Sequence, residues 1–85
     1  MYYVYILQSQ KDKRKYTGHT EDLGRRLMEH NNGEGPGRST KHWKPWKLLY
    51  CEEFQTRSEA MRREKYLKSG AGREELKSIV ERRGN

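Results

Sequence analysis

The sequence predicts an α/β (α+β) fold in which a small three-stranded antiparallel sheet is flanked by helices, in the order β-β-α-β-α-α. Two observations predict it: tyrosine-rich, β-branched segments alternate with segments whose apolar residues recur at helical spacing. The chain has 85 residues, which suits one small domain. Because only 31% of them are hydrophobic, we expect a thin core in which six tyrosines and two tryptophans supply much of the buried area.

The first two strands are predicted to form a hairpin. Residues 2–8 are β-branched or aromatic and are apolar on both faces, which is typical of a central strand covered on both sides. A polar turn from Ser9 to Arg14 and a return strand over residues 15–19 complete a hairpin with a longer loop. Gly18 in the second strand lets another group approach the backbone.

A first helix is predicted to follow this hairpin. Thr20 or Asp22 can act as its N-cap, and Leu23 and Leu27, one turn apart, mark its buried stripe. The helix is expected to end near residues 31–33, where asparagine and glycine tolerate left-handed geometry.

Residues 33–45 form a long loop with glycines and prolines, and loops of this length in small domains are usually functional or mobile. A third strand is predicted over residues 46–54. Strict alternation gives it two faces, one with Leu48, Tyr50 and Phe54 and the other with Leu49 and Cys51.

Two further helices are predicted after the third strand. Residues 56–59 match a capping box, so one helix starts there. Residues 70–72 break the chain as a helix–helix connection, and residues 73–82 form the last helix. The inner arc of the earlier helix holds Ala60, Met61 and Leu67, and the apolar stripe of the last one holds Leu76, Ile79 and Val80.

The formal net charge of +7 favours a polyanionic partner such as nucleic acid. Residues 38–50 hold four bases and no acid, with Trp43 and Trp46 among them. A solvated basic surface that aids solubility is the alternative interpretation. The candidate nucleic-acid-binding residues are Arg38, Lys41, His42, Trp43 and Lys44.

Cys51 is the only cysteine, which excludes an intrachain disulfide and a cysteine-rich zinc site. We expect a small buried hydrophobe there. The sequence offers no signal peptide, because Lys11 to Lys15 interrupt any apolar run, and no membrane span. These observations predict a cytoplasmic protein without a membrane partner.

Glu64 is the most informative candidate. At about 100° per residue it projects from the apolar arc of its helix, about 40° from Ala60 and about 60° from Leu67 and from Met61. A carboxylate there needs a partner, because burying a bare charge is costly. It can form a structural ion pair with Lys68 at i+4, or it can bind a divalent cation through hard oxygen ligands.

Arg26 borders the buried stripe of the first helix, and its guanidinium can bind a phosphate with two hydrogen bonds. Alternatively, it is a surface residue paired with Asp22 or Glu29. Its neighbour Arg25 is predicted to point further outward, so we choose Arg26 of the two.

Tyr5 and Tyr16 can be plain strand aromatics, or one of them can act as a base if nearby cations favour the phenolate. His19 can relay a proton or contact phosphate, or it can be polar surface. His30 is expected to support the following loop.

Together these residues resemble the GIY-YIG endonuclease superfamily, over nearly the whole chain. The resemblance is greatest to small stand-alone bacterial proteins related to the nuclease domain of the excinuclease C subunit. The motifs that carry it are Tyr3-Val4-Tyr5, Tyr16-Thr17-Gly18, the helix from Thr20 to Arg26, the stretch from His30 to Gly35, the strand from Pro45 to Tyr50, and the segment from Glu59 to Glu64.

The resemblance implies a single nuclease domain over residues 1–85 that cuts DNA with one Mg²⁺ or Mn²⁺ ion, in DNA repair or processing. It implies that Glu64 holds the metal, that Tyr16 or Tyr5 helps deprotonate the attacking water, and that Arg26 stabilises the phosphoryl charge. His19 stands where relatives carry a basic or polar helper.

No separate DNA-targeting domain is apparent in this sequence, so we expect structure-directed or weakly sequence-specific cutting, guided by the basic loop or by a targeting protein partner. The alternative is a non-catalytic DNA- or RNA-binding module of the same fold.

Overall fold

The computed structural model describes residues 1–34 and 42–83. Its element order, β-β-α-β-α-α, confirms the predicted α+β fold. Within the described ranges, no helix is long and apolar enough to cross a membrane. The elements are β1 (Tyr2–Ser9), β2 (Lys15–Thr20), α1 (Leu23–Asn31), β3 (Trp46–Phe54), α2 (Arg57–Leu67) and α3 (Gly70–Arg83).

The sheet is antiparallel with the strand order β2-β1-β3, so β1 is the central strand as predicted. Tyr5 on β1 pairs with Gly18 on β2 and with Cys51 on β3. The four residues Val4 to Leu7 are almost completely buried, because both faces of β1 are covered. Cys51 is a free, half-buried cysteine that packs against one face.

A β-bulge in β3 changes which of its residues face each side of the sheet. Ile6 pairs with Tyr50, but Leu7 pairs with Leu48, so Leu49 has no partner of its own. Strict alternation therefore predicted the wrong face for two residues. Leu49 packs with Tyr50 and Phe54 beneath α2 and α3, whereas Leu48 packs with Cys51 on the opposite face.

The helices divide the core into two clusters, one on each face of the sheet. On the first face, Val4 and Ile6 pack against Ala60 and Leu67 of α2 and Leu76 of α3. On the second face, the buried residues are Tyr5, Leu7 and Trp46, with the two leucines of the predicted α1 stripe, Leu23 and Leu27, packed against them.

Met61 does not belong to the inner arc of α2, contrary to the prediction, because it is 50% exposed. Ala60 and Leu67 lie within about 20° of each other around the helix axis, and they set its inward direction. Met61 is about 100° from Ala60, so it lies on the flank of the helix.

The helix caps follow the predicted pattern. Asp22 caps α1, where its side chain accepts a hydrogen bond from the backbone N–H of Arg25. Thr56 and Glu59 form the capping box of α2. Gly33 adopts a φ of 79° just beyond α1, where the sequence predicted left-handed geometry.

The last helix begins earlier than predicted, at Gly70 rather than at residue 73. Ser69 makes this possible, because its Oγ accepts a hydrogen bond from the backbone N–H of Gly72 at 3.2 Å. Gly72 also packs directly on the end of α2: a Cβ atom there would lie 1.8 Å from the backbone oxygen of Tyr66. The glycines therefore start α3 and let it approach α2 closely.

An ion-pair network around Arg63 ties α2 to two other elements. Its guanidinium donates to both carboxylate oxygens of Glu52 on β3, at 2.8 and 2.9 Å, and to Glu75 on α3, at 2.5 Å. These hydrogen bonds raise the pKa of Arg63 further above its ordinary value. The two carboxylates and the guanidinium thus hold α2 in a fixed orientation over the sheet.

Asn31, the last residue of α1, bonds to the start of β3. Its Oδ1 accepts a hydrogen bond from the backbone N–H of Trp46 at 2.5 Å, and its Nδ2 donates to the Trp46 carbonyl at 3.1 Å. This pair of bonds fixes α1 against the edge of the sheet, a role that the sequence did not predict.

His30 lies in the core. It is completely buried, and its ring lies near those of Tyr5, Tyr16 and Trp46. The Tyr5 hydroxyl and the His30 Nε2 are 3.1 Å apart. Burial, with help from the positive charge of Arg26, holds the pKa of His30 below its ordinary value, so the neutral ring is favoured.

Gly72→Ala is expected to destabilise the fold by about 1–3 kcal/mol, because the added methyl group would overlap the backbone of α2. Gly70→Ala, where an added Cβ has no neighbour within 4 Å, is the matched control. It should be neutral or stabilising by up to about 1 kcal/mol. Urea unfolding followed by circular dichroism measures both, and equal effects would contradict the proposed close approach.

His30 should make stability depend on pH. Its pKa is lower in the folded state, so its contribution is complete above about pH 6.5 and is lost as the pH falls and the unfolded chain takes up the proton. The free energy of unfolding should decline below pH 6.5, by up to about 1.4 kcal/mol per pH unit, more steeply in the wild type than in His30→Gln. Parallel pH profiles would show that His30 binds protons equally in both states.

Candidate active site

The five predicted catalytic residues meet in one cleft of about 730 Å³. The cleft lies between β2, the start of α1 and the inner side of α2, so residues distant in sequence face the same space. Its lining includes Tyr5, Tyr16, Gly18, His19, Arg26 and Glu64, and also Thr20, Glu21, Asp22, Arg25 and Arg57.

Glu64 lies on the inner side of α2 with its side chain 18% exposed, and each carboxylate oxygen accepts a hydrogen bond. Nδ1 of His19 is 2.5 Å from Oε1, and Nζ of Lys68 is 2.6 Å from Oε2. Burial raises the pKa of Glu64, but the hydrogen bonds from Lys68 and His19 outweigh it and hold the pKa below its ordinary value. The carboxylate is therefore charged at neutral pH.

The predicted i+4 ion pair between Glu64 and Lys68 is present, and so is the inward direction of Glu64. The two interpretations of this residue are compatible. A carboxylate has about four lone-pair positions, so two hydrogen bonds leave positions for a further ligand.

The carboxylate of Glu64 is the group of the cleft that would hold a divalent cation through its remaining lone pairs. Mg²⁺ is commonly bound through one or two carboxylates, with water and substrate phosphate completing its octahedron. Among residues 1–34 and 42–83, no group of three or more His, Cys, Asp or Glu side chains could enclose a metal by itself. A metal at Glu64 would thus depend on the substrate for part of its coordination.

The two tyrosines differ in how deeply they are buried. Tyr5 is 1% exposed and its hydroxyl is bound to His30, whereas Tyr16 is half-buried, with its ring 6.2 Å from that of Tyr5. Burial raises the pKa of both phenols, while the charge of Lys68 acts to lower that of Tyr16. Tyr16 is thus the phenol that is free to meet a ligand in the cleft.

Gly18 gives Tyr5 room for its hydroxyl. A Cβ atom on Gly18 would lie 2.6 Å from Oη of Tyr5 and 3.1 Å from the ring of Tyr16. The sequence predicted a close approach at this glycine, and the approaching group is the phenol of the neighbouring strand.

Arg26 is the more enclosed of the two adjacent arginines, as predicted: its side chain is 33% exposed, against 74% for Arg25. Both contact Glu29, at 3.5 Å from Arg26 Nη1 and at 3.1 Å from Arg25 Nε. Asp22, the other predicted partner of Arg26, serves as the N-cap instead. The ion-pair interpretation is therefore partly correct, and Arg26 still lines the cleft.

Two cations of the site were missed in the sequence. Arg57, the first residue of α2, lines the cleft with its guanidinium 5.2 Å from the centre of the Tyr2 ring. Lys68 was considered only as the ion-pair partner of Glu64, although its charge also acts on Tyr16. Neither role can be predicted from the neighbouring residues in the sequence, because both depend on how α2 docks on the hairpin.

The predicted nucleic-acid-binding residues are placed only in part. Arg38 and Lys41 lie outside the described residues, whereas His42 and Lys44 are exposed. Trp43 packs against the cluster of Tyr5, Leu7 and Trp46 while the guanidinium of Arg14 lies 3.7 Å from the centre of its ring. Its carbonyl accepts a hydrogen bond from Ser9 Oγ at 2.5 Å. His42, Trp43 and Lys44 do not line the cleft.

Comparison with known proteins identifies the family. The family model of the GIY-YIG catalytic domain matches residues 1–77. A UPF0213 protein of Staphylococcus saprophyticus is 41% identical over 80 residues, covering 94% of this chain and 95% of that protein. A UPF0213 protein of Clostridium perfringens is 43% identical over 79 residues, covering 93% of this chain and 83% of that protein.

A solved structure shares the fold. The solution NMR structure of a UPF0213 protein from Bacillus halodurans is 37% identical, with a TM-score of 0.55, and covers 93% of this chain and 85% of that chain. The match confirms the resemblance that the tyrosine, arginine and glutamate motifs indicated. The chain belongs to the family of GIY-YIG catalytic domains, a family of nucleases, and is similar over most of its length to UPF0213 proteins.

Proposed function

We propose that this protein is a metal-dependent endonuclease that hydrolyses phosphodiester bonds of DNA. The observation that carries the proposal is the charged, inward-facing carboxylate of Glu64, which shares one cleft with Tyr16 and Arg26. A carboxylate, a phenol and a guanidinium around one space are the groups needed to hold a cation, position a water molecule and bind a phosphate. Membership of a nuclease family supports the same reaction.

Each side chain has a distinct task in this proposal. Glu64 holds the cation, with His19 and Lys68 fixing the carboxylate by hydrogen bonds. When bound, Mg²⁺ or Mn²⁺ would supply positive charge to the leaving 3′ oxygen. Arg26 binds the phosphoryl oxygens and stabilises the negative charge that grows on them.

Tyr16 orients the attacking water and, in its phenolate form, accepts the proton of that water. Burial raises the pKa of the Tyr16 phenol, so formation of the phenolate requires positive charge nearby. The charges of Lys68 and Arg26 act to lower this pKa. Tyr5 is a positioning residue, because its hydroxyl is already bound to His30 and its ring lies beside that of Tyr16. His19 likewise acts through Glu64 rather than as a proton relay.

The proposal extends to the substrate and the cellular role of the enzyme. The enzyme acts on structured or weakly specific DNA sites during repair or processing in the cytoplasm. The segment around residues 38–44, or a targeting protein, directs it to those sites. RNA is the second substrate to test, because the cleft offers charge and phosphate contacts rather than base-specific groups.

A second function is favoured by one observation. Both oxygens of Glu64 are already bonded within the protein, to His19 and Lys68, as expected for a purely structural carboxylate. In that case the protein is a non-catalytic DNA- or RNA-binding module of the same fold.

Glu64→Gln distinguishes the two functions. The amide keeps the size of the side chain but loses the charge, so metal-dependent cleavage of branched, nicked or single-stranded DNA should fall by at least about 100-fold. Glu74→Gln, an exposed glutamate of α3, removes the same charge away from the cleft and should cut normally. Gel assays with Mg²⁺ or Mn²⁺ measure both. No metal-dependent product from the wild type, with DNA binding intact, would support the binding module.

Arg26→Gln should slow cleavage by about 100-fold, because it removes a donor to the charge that develops in the transition state. Arg25→Gln is the matched control, since it removes the same charge from the more exposed neighbour and from the same Glu29 contact. Single-turnover rates at saturating protein compare the two variants. Equal losses of rate in the two variants would show that the positive charge of α1 matters as a whole, and that Arg26 has no specific role.

A further inference from the structure

A second cavity of about 920 Å³ lies beside the cleft, and most of its lining residues have no task in the proposed reaction. It is a groove between the hairpin turn with the start of β2 on one side and α3 on the other. We call it the β2–α3 groove. Its cationic lining residues are Lys13, Arg14, Lys15, Lys68, Arg73 and Lys77.

Most of this positive charge has no internal partner. Arg14 is paired with Asp12, and Lys68 with Glu64. In the part of the chain that the structure describes, the other four cations form no ion pair, and all four are exposed. Glu81 is the one acidic residue in the lining. The groove thus holds uncompensated charge that an extended polyanion can neutralise.

The groove also has apolar walls between its cations. Leu76 and Val80 lie one turn apart on α3, and Arg73 and Lys77 border them on the same face of the helix. Tyr16 and Val80 are half-buried and offer apolar surface, whereas Leu67 and Leu76 are 1% and 7% exposed and form the floor of the groove. A duplex would offer such a groove only its phosphates, since its bases are stacked inside. A single strand offers base faces and phosphates together.

The β2–α3 groove adjoins the cleft at two residues. Tyr16 lines both cavities, and Lys68, in the wall of the groove, bonds to Glu64 in the cleft. A strand lying in the groove would therefore lead towards the cleft, where the proposed reaction takes place.

We propose that the β2–α3 groove binds a single-stranded segment of DNA that flanks the scissile phosphate. This inference rests on the proposed nuclease function and deepens it, because it assigns single-stranded flanks as the preferred feature of the substrate. The surface is different from the segment 38–44 that the sequence indicated as basic. In this proposal the groove binds the flanking single strand, and the cleft binds the reacting phosphate.

The test is a triple substitution in the full chain, Lys15→Gln, Arg73→Gln and Lys77→Gln, which leaves the cleft residues untouched. The matched control is Arg62→Gln, Lys65→Gln and Arg82→Gln, which removes the same charge from exposed positions outside both cavities. Circular dichroism confirms that both variants are folded. Fluorescence anisotropy then measures binding to a labelled oligothymidine and to a blunt duplex, in EDTA and over a range of salt concentrations.

The groove variant should bind the oligothymidine at least about tenfold more weakly than the control variant, with a smaller difference for the duplex. Its plot of log affinity against log salt should be shallower by about 2, since each lost phosphate contact of a single strand contributes about 0.7. Equal binding by the two variants would overturn the proposal. Equal losses on oligothymidine and duplex would overturn its single-strand part.

The outcome is independent of catalysis, because EDTA removes the metal. If the wild type binds oligothymidine through the groove but cuts no DNA with Mg²⁺ or Mn²⁺, the nuclease proposal fails and the groove remains a binding site. Sedimentation of the same variants tests whether a second copy of the chain occupies the groove instead. A wild-type dimer that dissociates in the groove variant, with oligothymidine binding unchanged, would assign the groove to a second copy of the chain and overturn the proposal.

Discussion

The constraint on which the site depends is the charge of Glu64 on the inner side of α2. That helix docks through Ala60 and Leu67, and Glu64 lies about 40° from Ala60 around the helix axis, so its side chain enters the edge of the same interface. A carboxylate there is stable only with donors on both oxygens, and His19 from β2 and Lys68 from the end of α2 supply them. Satisfying one charge therefore sets the distance between α2 and the hairpin, and that distance defines the cleft.

The sheet separates two kinds of packing. The face beneath α2 and α3 is filled by aliphatic and aromatic side chains and holds the helices firmly, with Arg63 adding its ion pairs. The opposite face carries Tyr5 and His30, whose hydrogen bond satisfies two polar groups inside an aromatic cluster. This arrangement keeps Tyr5 rigid and leaves the half-buried Tyr16 at the border of the core, beside Glu64. The buried ring of Tyr5 thus supports the more accessible phenol of Tyr16 from below.

The sequence predicted most of the elements, because their signals are local. Apolar residues on both faces identified β1 as a central strand, and the capping box identified the start of α2 within a few residues. The angular position of Glu64 between apolar residues predicted its inward direction, and the resemblance supplied the partners that now line the same cleft with it. The segment 38–41 falls outside the described residues, so its predicted binding role stays a prediction.

The sequence by itself determined the order of elements, the family and five of the residues that line the cleft. The tertiary structure decided what depends on contacts between distant segments: the bulge that reversed the face of Leu49, the exposure of Met61, and the burial of His30 against Tyr5. It also decided that α3 begins at Gly70. The physical reason is that periodicity and capping act within one or two turns, whereas packing chooses the register, the docking angle and the partner of each charge.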